Sequence, residues 1–146
     1  MDTRGGFLIS QIKQVQGRIF EKLLAKSGVD AFNGAQGRIL YVLWQKDDLP
    51  IVELSRQTGL AKTTLTGMLD RLESQGLIIR QASPSDRRQI IIRLTEEAKQ
   101  LSADYARVSG EMAAIFYNGL SEDEIIRFER ILDRILANLT ESEKKQ

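Results

Sequence analysis

The sequence predicts a mainly α-helical fold carrying one small β-hairpin, and three observations predict it. Apolar residues recur at spacings of three and four along most of the 146 residues, as in helices that bury one face. That period breaks between Leu77 and Leu94, where two short β-branched runs flank a polar stretch containing Pro84. Glycines stand where helical patterns stop, at Gly28, Gly59 and Gly76.

The length suits one domain, or one core with an appended subdomain. An apolar fraction of 42% and a charged fraction of 28% are those of an ordinary globular chain. No run approaches the roughly 18 uncharged apolar residues of a membrane span, so no membrane association is expected. The N-terminal Met1-Asp2-Thr3-Arg4-Gly5-Gly6 lacks the basic segment and apolar core of a secretory signal, and a cytoplasmic location is expected.

The chain has no cysteine and no histidine. Disulfides, thiolate nucleophiles and thiol redox sensing are therefore excluded. The usual general base and the commonest metal ligand are also missing. A transition-metal site built from carboxylates alone would be unusual, so no metal, no cofactor and no enzymatic activity are expected. Charge is unevenly spread: Ile51–Thr95 holds seven Lys/Arg against four Asp/Glu, and Glu96–Gln146 seven against eleven. A basic middle suggests contact with a polyanion.

Leu8, Ile12, Val15, Ile19 and Leu23 line one face of a first helix over about Phe7–Ser27, and Gly28 suits its C-terminus. Phe20 and Leu24 widen that face. Asn33 with Gln36 forms a capping-box pattern before a helix carrying Ile39, Leu40, Leu43 and Trp44. Pro50 opens a short helix through Thr58, and Gly59 supplies a left-handed turn. The next helix, Leu60–Gln75, turns Leu65, Met68, Leu69 and Leu72 inward and ends at Gly76. Leu77–Gln81 and Ile90–Leu94 read as the strands of a hairpin whose tip carries Arg87 and Arg88. Thr95 caps a long helix to about Asn118, with Leu101, Tyr105, Val108, Met112, Ile115 and Phe116 inward. Ser121–Glu124 is a capping box opening a last helix that bears Ile125, Phe128, Ile131, Leu132, Ile135, Leu136 and Leu139.

A helix, a glycine turn, a second helix and an arginine-tipped hairpin, in that order, make a winged helix-turn-helix. The turn lets the two helices cross steeply, so the second can enter a major groove while the first braces it. With its leucines inward, the second helix presents Lys62, Thr63, Thr64, Thr66, Gly67, Asp70 and Arg71. Lysine and arginine neutralise phosphates, hydroxyls reach phosphate oxygens or base edges, and Gly67 permits close approach. Each piece alone is commonly a solvated helix face or a surface turn; their adjacency and order carry the reading.

These residues also resemble a known family. Leu54-Ser55, Gly59-Leu60-Ala61-Lys62-Thr63-Thr64-Leu65-Thr66, Leu69-Asp70-Arg71-Leu72-Glu73 and Gly76-Leu77-Ile78 with Arg80 resemble the recognition-helix region of the MarR (multiple antibiotic resistance regulator) family. Asp86-Arg87-Arg88 followed by Leu94-Thr95 is similar to that family's wing signature. The resemblance covers essentially the whole chain and implies a homodimer that binds a pseudo-palindromic duplex, often released by a small organic ligand. It implies that Arg88 reaches into a minor groove and that Asp86 fixes the wing through an ion pair, with Arg71 and Arg88 both open as partner. A ligand pocket is also implied; Phe20, Tyr41 and Trp44 are candidates to line it, although simple core is the commoner role of such residues. Residues 33–95 are then the DNA-binding part, and 7–28 with 96–140 the dimerisation part. Ala61 departs from the family, because Ser or Asp is the more usual cap; Thr63 and Thr64 are candidates to supply that hydroxyl.

Dimerisation has an independent basis. Phe7, Ile9, Phe116, Tyr117, Ile126 and Ile135 exceed what a small winged domain covers by itself. The alternative to a DNA-binding regulator is a winged-helix module whose basic face binds a protein.

Overall fold

The computed structural model describes residues 1–27 and 34–146. Its elements are α1 (Gly5–Ser27), α2 (Gly34–Gln45), β1 (Leu49–Pro50), α3 (Ile51–Thr58), α4 (Lys62–Ser74), β2 (Ile78–Ala82), β3 (Ile90–Leu94), α5 (Glu96–Phe116) and α6 (Glu122–Lys144). The capping roles expected of Gly28 and Asn33 lie outside the described residues. Two compact units are formed, Met1–Met112 and Ala113–Gln146.

The core of the first unit is aliphatic. Ile39, Leu40 and Leu43 of α2, Leu54 of α3, Leu65, Leu69 and Leu72 of α4, Ile78 of β2, Ile92 of β3 and Val108 of α5 are essentially fully buried in one cluster. The leucines, branched only beyond Cβ, suit helices, and the β-branched Ile78 and Ile92 suit strands. The α3–α4 turn depends on Gly59, whose φ of 70° is left-handed and whose N–H donates to Ser55 O at 2.9 Å. A left-handed Gly76 (φ 75°) closes α4 with both bonds of a Schellman motif, Leu77 N–H to Leu72 O (2.9 Å) and Gly76 N–H to Glu73 O (3.0 Å). This tight exit launches β2 directly from the end of α4.

The sheet has three strands in the order β1-β3-β2, one more than the hairpin the sequence predicts. Leu49 and Pro50 pair antiparallel with Ile92 and Ile91. Pro50 is thus the extended residue before α3 and not its first helical residue. Two residues are too few to show an alternating pattern, and their pairing partners lie some forty positions away. Asp47 fixes the approach by accepting from the N–H groups of Asp48 (2.8 Å) and Leu94 (2.9 Å), and Asp48 pairs with Arg93.

Thr95 caps α5 as expected: its hydroxyl oxygen accepts from Ala98 N–H (3.2 Å) while its hydroxyl donates to Gly76 O (2.8 Å). Val108 and Met112 are buried, but Ile115 is exposed, contrary to its expected inward position. It belongs to the second unit, beyond Met112, the last residue of the first.

In the second unit Phe116, Tyr117 and Phe128 form an aromatic cluster with centroid separations of 4.8–6.4 Å. The Tyr117 hydroxyl donates to Glu129 at 2.7 Å. Loss of hydration and that neighbouring carboxylate push the phenol up to about 12. The predicted capping box is complete: Ser121 Oγ accepts from Glu124 N–H (3.2 Å), and Glu124 accepts from Ser121 N–H (2.9 Å). Ser121→Ala is expected to cost about 1 kcal/mol, read as a lowered thermal midpoint. No residue of α6 is buried within the chain, and Ile131, Ile135, Leu136 and Leu139 of its apolar stripe are exposed.

Candidate nucleic-acid interface

Helix α4 is divided sharply between its two sides. Leu65, Leu69 and Leu72 are sealed in the core and Met68 is half-buried, while Lys62, Thr63, Thr64, Thr66, Gly67, Asp70 and Arg71 are all exposed. The residue before α4 is Ala61, extended and without a side-chain cap. Thr63 and Thr64 do not take over the capping role that the sequence left open. The first N–H groups of α4 are therefore turned outward with the positive end of the helix dipole. Thr66 donates its hydroxyl proton back to Lys62 O (2.9 Å), so its outward lone pairs accept.

The hairpin β2–β3 pairs Ile78 with Leu94 through to Ala82 with Ile90, and its tip is held from inside. The buried Ser83 hydroxyl accepts from the N–H groups of Ser85 (3.3 Å) and Asp86 (3.4 Å), and Ser83 N–H donates to Gln89 O (2.9 Å). Asp86 Oδ1 accepts from Arg88 twice, from its backbone N–H (3.0 Å) and its Nε (3.2 Å). Of the two partners the sequence left open for Asp86, the structure selects Arg88. The Arg88 side chain is nevertheless 91% exposed, so the pair orients the guanidinium without hiding it. Lys62, Arg71 and Arg87 form no ion pair with any described residue.

Arg80 is a residue the sequence reading did not assign to the site. Its Nη2 donates to Asp70 Oδ1 (2.6 Å) and Glu73 Oε1 (2.9 Å), and its Nε donates to Glu73 Oε2 (3.4 Å). These hydrogen bonds hold the Glu73 carboxyl below the usual carboxylate range. A signal was present: β2 alternates Ile78 inward and Ile79 outward, which sets Arg80 on the inward register. A guanidinium there needs carboxylates, and Asp70 and Glu73 stand three apart on the preceding helix.

A cleft of about 340 Å³ is lined by Gly17, Phe20, Glu21, Leu24, Gly34, Gly37, Arg38, Tyr41 and Tyr105. It brings together Phe20 and Tyr41, two of the residues the sequence offered either as pocket lining or as core, and adds Tyr105, which the sequence pattern turned inward on α5. Tyr105 lies 6.4 Å from Phe20 and 6.1 Å from Tyr41 by ring centroids, and burial raises its phenol above the ordinary range. Trp44 does not line this cleft. Its indole N–H donates to Ala98 O (3.0 Å), the partner a largely buried tryptophan needs, and it borders a smaller space with Leu43, Asp47, Leu94, Lys99 and Ser102.

Among the described residues no group of carboxylates could hold a metal ion, and no described helix is long and apolar enough to cross a membrane.

Residues 32–90 match the MarR family. The regulator MhqR of Bacillus subtilis (strain 168), an HTH-type transcriptional regulator, is 30% identical over 117 residues, covering 77% of this chain and 78% of MhqR. A mutant MarR from E. coli, solved in complex with operator DNA, superposes with a TM-score of 0.79 at 25% identity, covering 93% of this chain and 99% of that one. CouR from Rhodococcus jostii RHA1, solved bound to p-coumaroyl-CoA, shares the fold with a TM-score of 0.78 at 24% identity, over 89% and 90% of the two chains. A helix-turn-helix with an exposed polar recognition face, a wing tipped by an oriented arginine, and this kinship lead to one conclusion: the chain belongs to the MarR family of DNA-binding transcriptional regulators.

Proposed function

We propose that this chain acts in the cytoplasm as a homodimer on a pseudo-palindromic operator, with α4 in the major groove and the wing in the flanking minor groove. Residues 33–95 then form the DNA-binding part, and residues 7–28 with 96–140 the dimerisation part. The observation that carries the reading is the exposed row Lys62, Thr63, Thr64, Thr66, Gly67 and Arg71, backed by fully buried leucines and joined through Gly76 to a wing bearing Arg87 and Arg88. Lys62, Arg71 and Arg87 supply cations that no ion pair with a described residue neutralises, threonines supply hydrogen-bonding tips, and Asp86 presets Arg88. The cleft of Phe20, Tyr41 and Tyr105, with Arg38 at its lining, suits a small organic effector with an aromatic or planar part. A coenzyme A thioester bound to CouR is one precedent for such a ligand in this fold.

Gly67 gives the reading a signed test. A Cβ added there meets nothing within 4 Å, so the protein's own packing does not require glycine. A helix-interior glycine costs roughly 0.5–1 kcal/mol relative to alanine. Gly67→Ala is expected to raise the thermal midpoint while weakening DNA binding, because the added methyl occupies the space of the approaching nucleic acid. A variant that is more stable and binds DNA equally well would remove Gly67 from the interface.

The function itself is tested by sequencing the fragments of sheared genomic DNA that the full-length protein retains. The retained duplex and a scrambled one are then titrated by fluorescence anisotropy at two salt concentrations. Selective binding that weakens steeply with salt is expected from counterion release. Binding that is feeble and equal for both duplexes would favour the alternative, a protein-interaction module.

A further inference from the structure

The contacts of Arg80 join the two elements that the proposed function places in different grooves. The strand leading to the wing tip is tied at Arg80 to Asp70 and Glu73 on the C-terminal half of α4, at 2.6 and 2.9 Å. Only a quarter of the Arg80 side chain is exposed, against 62% for Asp70 and 43% for Glu73, so the guanidinium sits between strand and helix with the carboxylates on the solvent side. Planar and forked, it binds both acids at once and restrains their relative direction as well as their separation. Asp70 also lies on the exposed face, three and four residues from Gly67 and Thr66. A free carboxylate there would oppose incoming phosphates.

We propose that Arg80 is a positioning residue for DNA recognition: by clamping Asp70 and Glu73 it fixes the angle between the recognition helix and the wing and draws the Asp70 carboxylate aside. Duplex DNA offers its major and minor grooves at a set spacing, so helix and wing engage together only when their mutual angle is held. Loss of a surface ion pair by itself would cost the fold little. Loss of the angle separates the two contacts.

This proposal rests on the DNA-binding reading and is tested with the duplex recovered in the genomic selection, using the full-length protein. Wild type, Arg80→Gln, Arg88→Ala and the double variant are compared on that duplex and on a scrambled one. Arg80→Gln is expected to lower affinity for the recovered duplex about tenfold, with a smaller loss on the scrambled one, which meets the freed carboxylates but gains nothing from a held angle. Arg80 and Arg88 are expected to couple: adding Arg80→Gln to Arg88→Ala costs less than about threefold more, because a wing without its arginine no longer gains from being aimed. Should Arg80→Gln fold poorly, Asp70→Asn with Glu73→Gln opens the same clamp while leaving Arg80 in place. It is expected to raise affinity for the scrambled duplex, lower the selectivity ratio, and couple to Arg88→Ala in the same way. Unchanged affinity, or losses that multiply independently, would overturn the positioning role. A wild-type protein that selects no duplex would instead overturn the DNA reading, and the clamp's role with it, so the two failures are told apart by the wild-type titration.

Discussion

Leu136→Glu combined with Leu139→Glu yields a folded monomer that has lost operator binding. Both leucines are 63% exposed in the single chain, and surface positions of that kind ordinarily tolerate change within about 0.5 kcal/mol. The fold of each chain therefore survives, and the helical signal in circular dichroism stays near the wild-type level. In the proposed dimer the same positions are apolar contacts. Covering the exposed part of four leucines contributes roughly 4–8 kcal/mol, and carboxylates in their place add a desolvation cost. That is roughly a third to two thirds of the free energy of a nanomolar dimer, about 12 kcal/mol. Phe7, Ile9 and Ile12 on α1 and Ile126, Ile131 and Ile135 on α6 are exposed apolar side chains of the same kind. Sedimentation velocity reads the outcome directly. A wild type that is already monomeric, or a double variant that remains a tight dimer with intact binding, would refute the assignment of these helices to the interface.

The second large effect separates positioning from reading. Arg88→Ala is expected to weaken operator binding by roughly 1–3 kcal/mol per wing and to flatten its salt dependence. The loss should concentrate at positions flanking the half-sites. A minor groove says little about base identity, but its negative potential deepens where A·T-rich sequence narrows it. Thr64 and Arg71 are exposed on α4, whose proposed seat is the major groove, where each base pair presents a distinct pattern. Substituting either should change which bases are preferred inside the half-sites. Affinities for a library of single-base operator variants, taken at fixed salt, distinguish the two. Preferences that shift inside the half-sites for Arg88→Ala, yet stay intact for the Thr64 and Arg71 variants, would reverse the assignment of helix and wing to their grooves.

Most of the architecture was legible because its causes are local. A leucine stripe of period 3.6 names the buried side of α4, and therefore its exposed side. Left-handed turns favour glycine, so Gly59 and Gly76 mark both ends of the turn-and-helix unit in the sequence itself. Ser121 and Glu124 sit in the spacing that lets each satisfy the other's backbone. Absence of cysteine and histidine likewise ruled out chemistry without reference to a fold.

What only the tertiary structure decided involves partners distant in sequence or choices among equivalent groups. Strand β1 exists because Leu49 and Pro50 meet Ile92 and Ile91, and no pattern within two residues announces that. Asp86 had two candidate arginines; the tight tip, closed by Ser83 and Gln89, brings Arg88 within reach and makes it the partner. Tyr105 lines the cleft and Trp44 does not, since an indole N–H was drawn to Ala98 O across fifty-four positions of chain. Arg80 became a clamp for the same reason. A helix end and a strand start, turned on one another by Gly76, place a guanidinium within reach of two carboxylates at once.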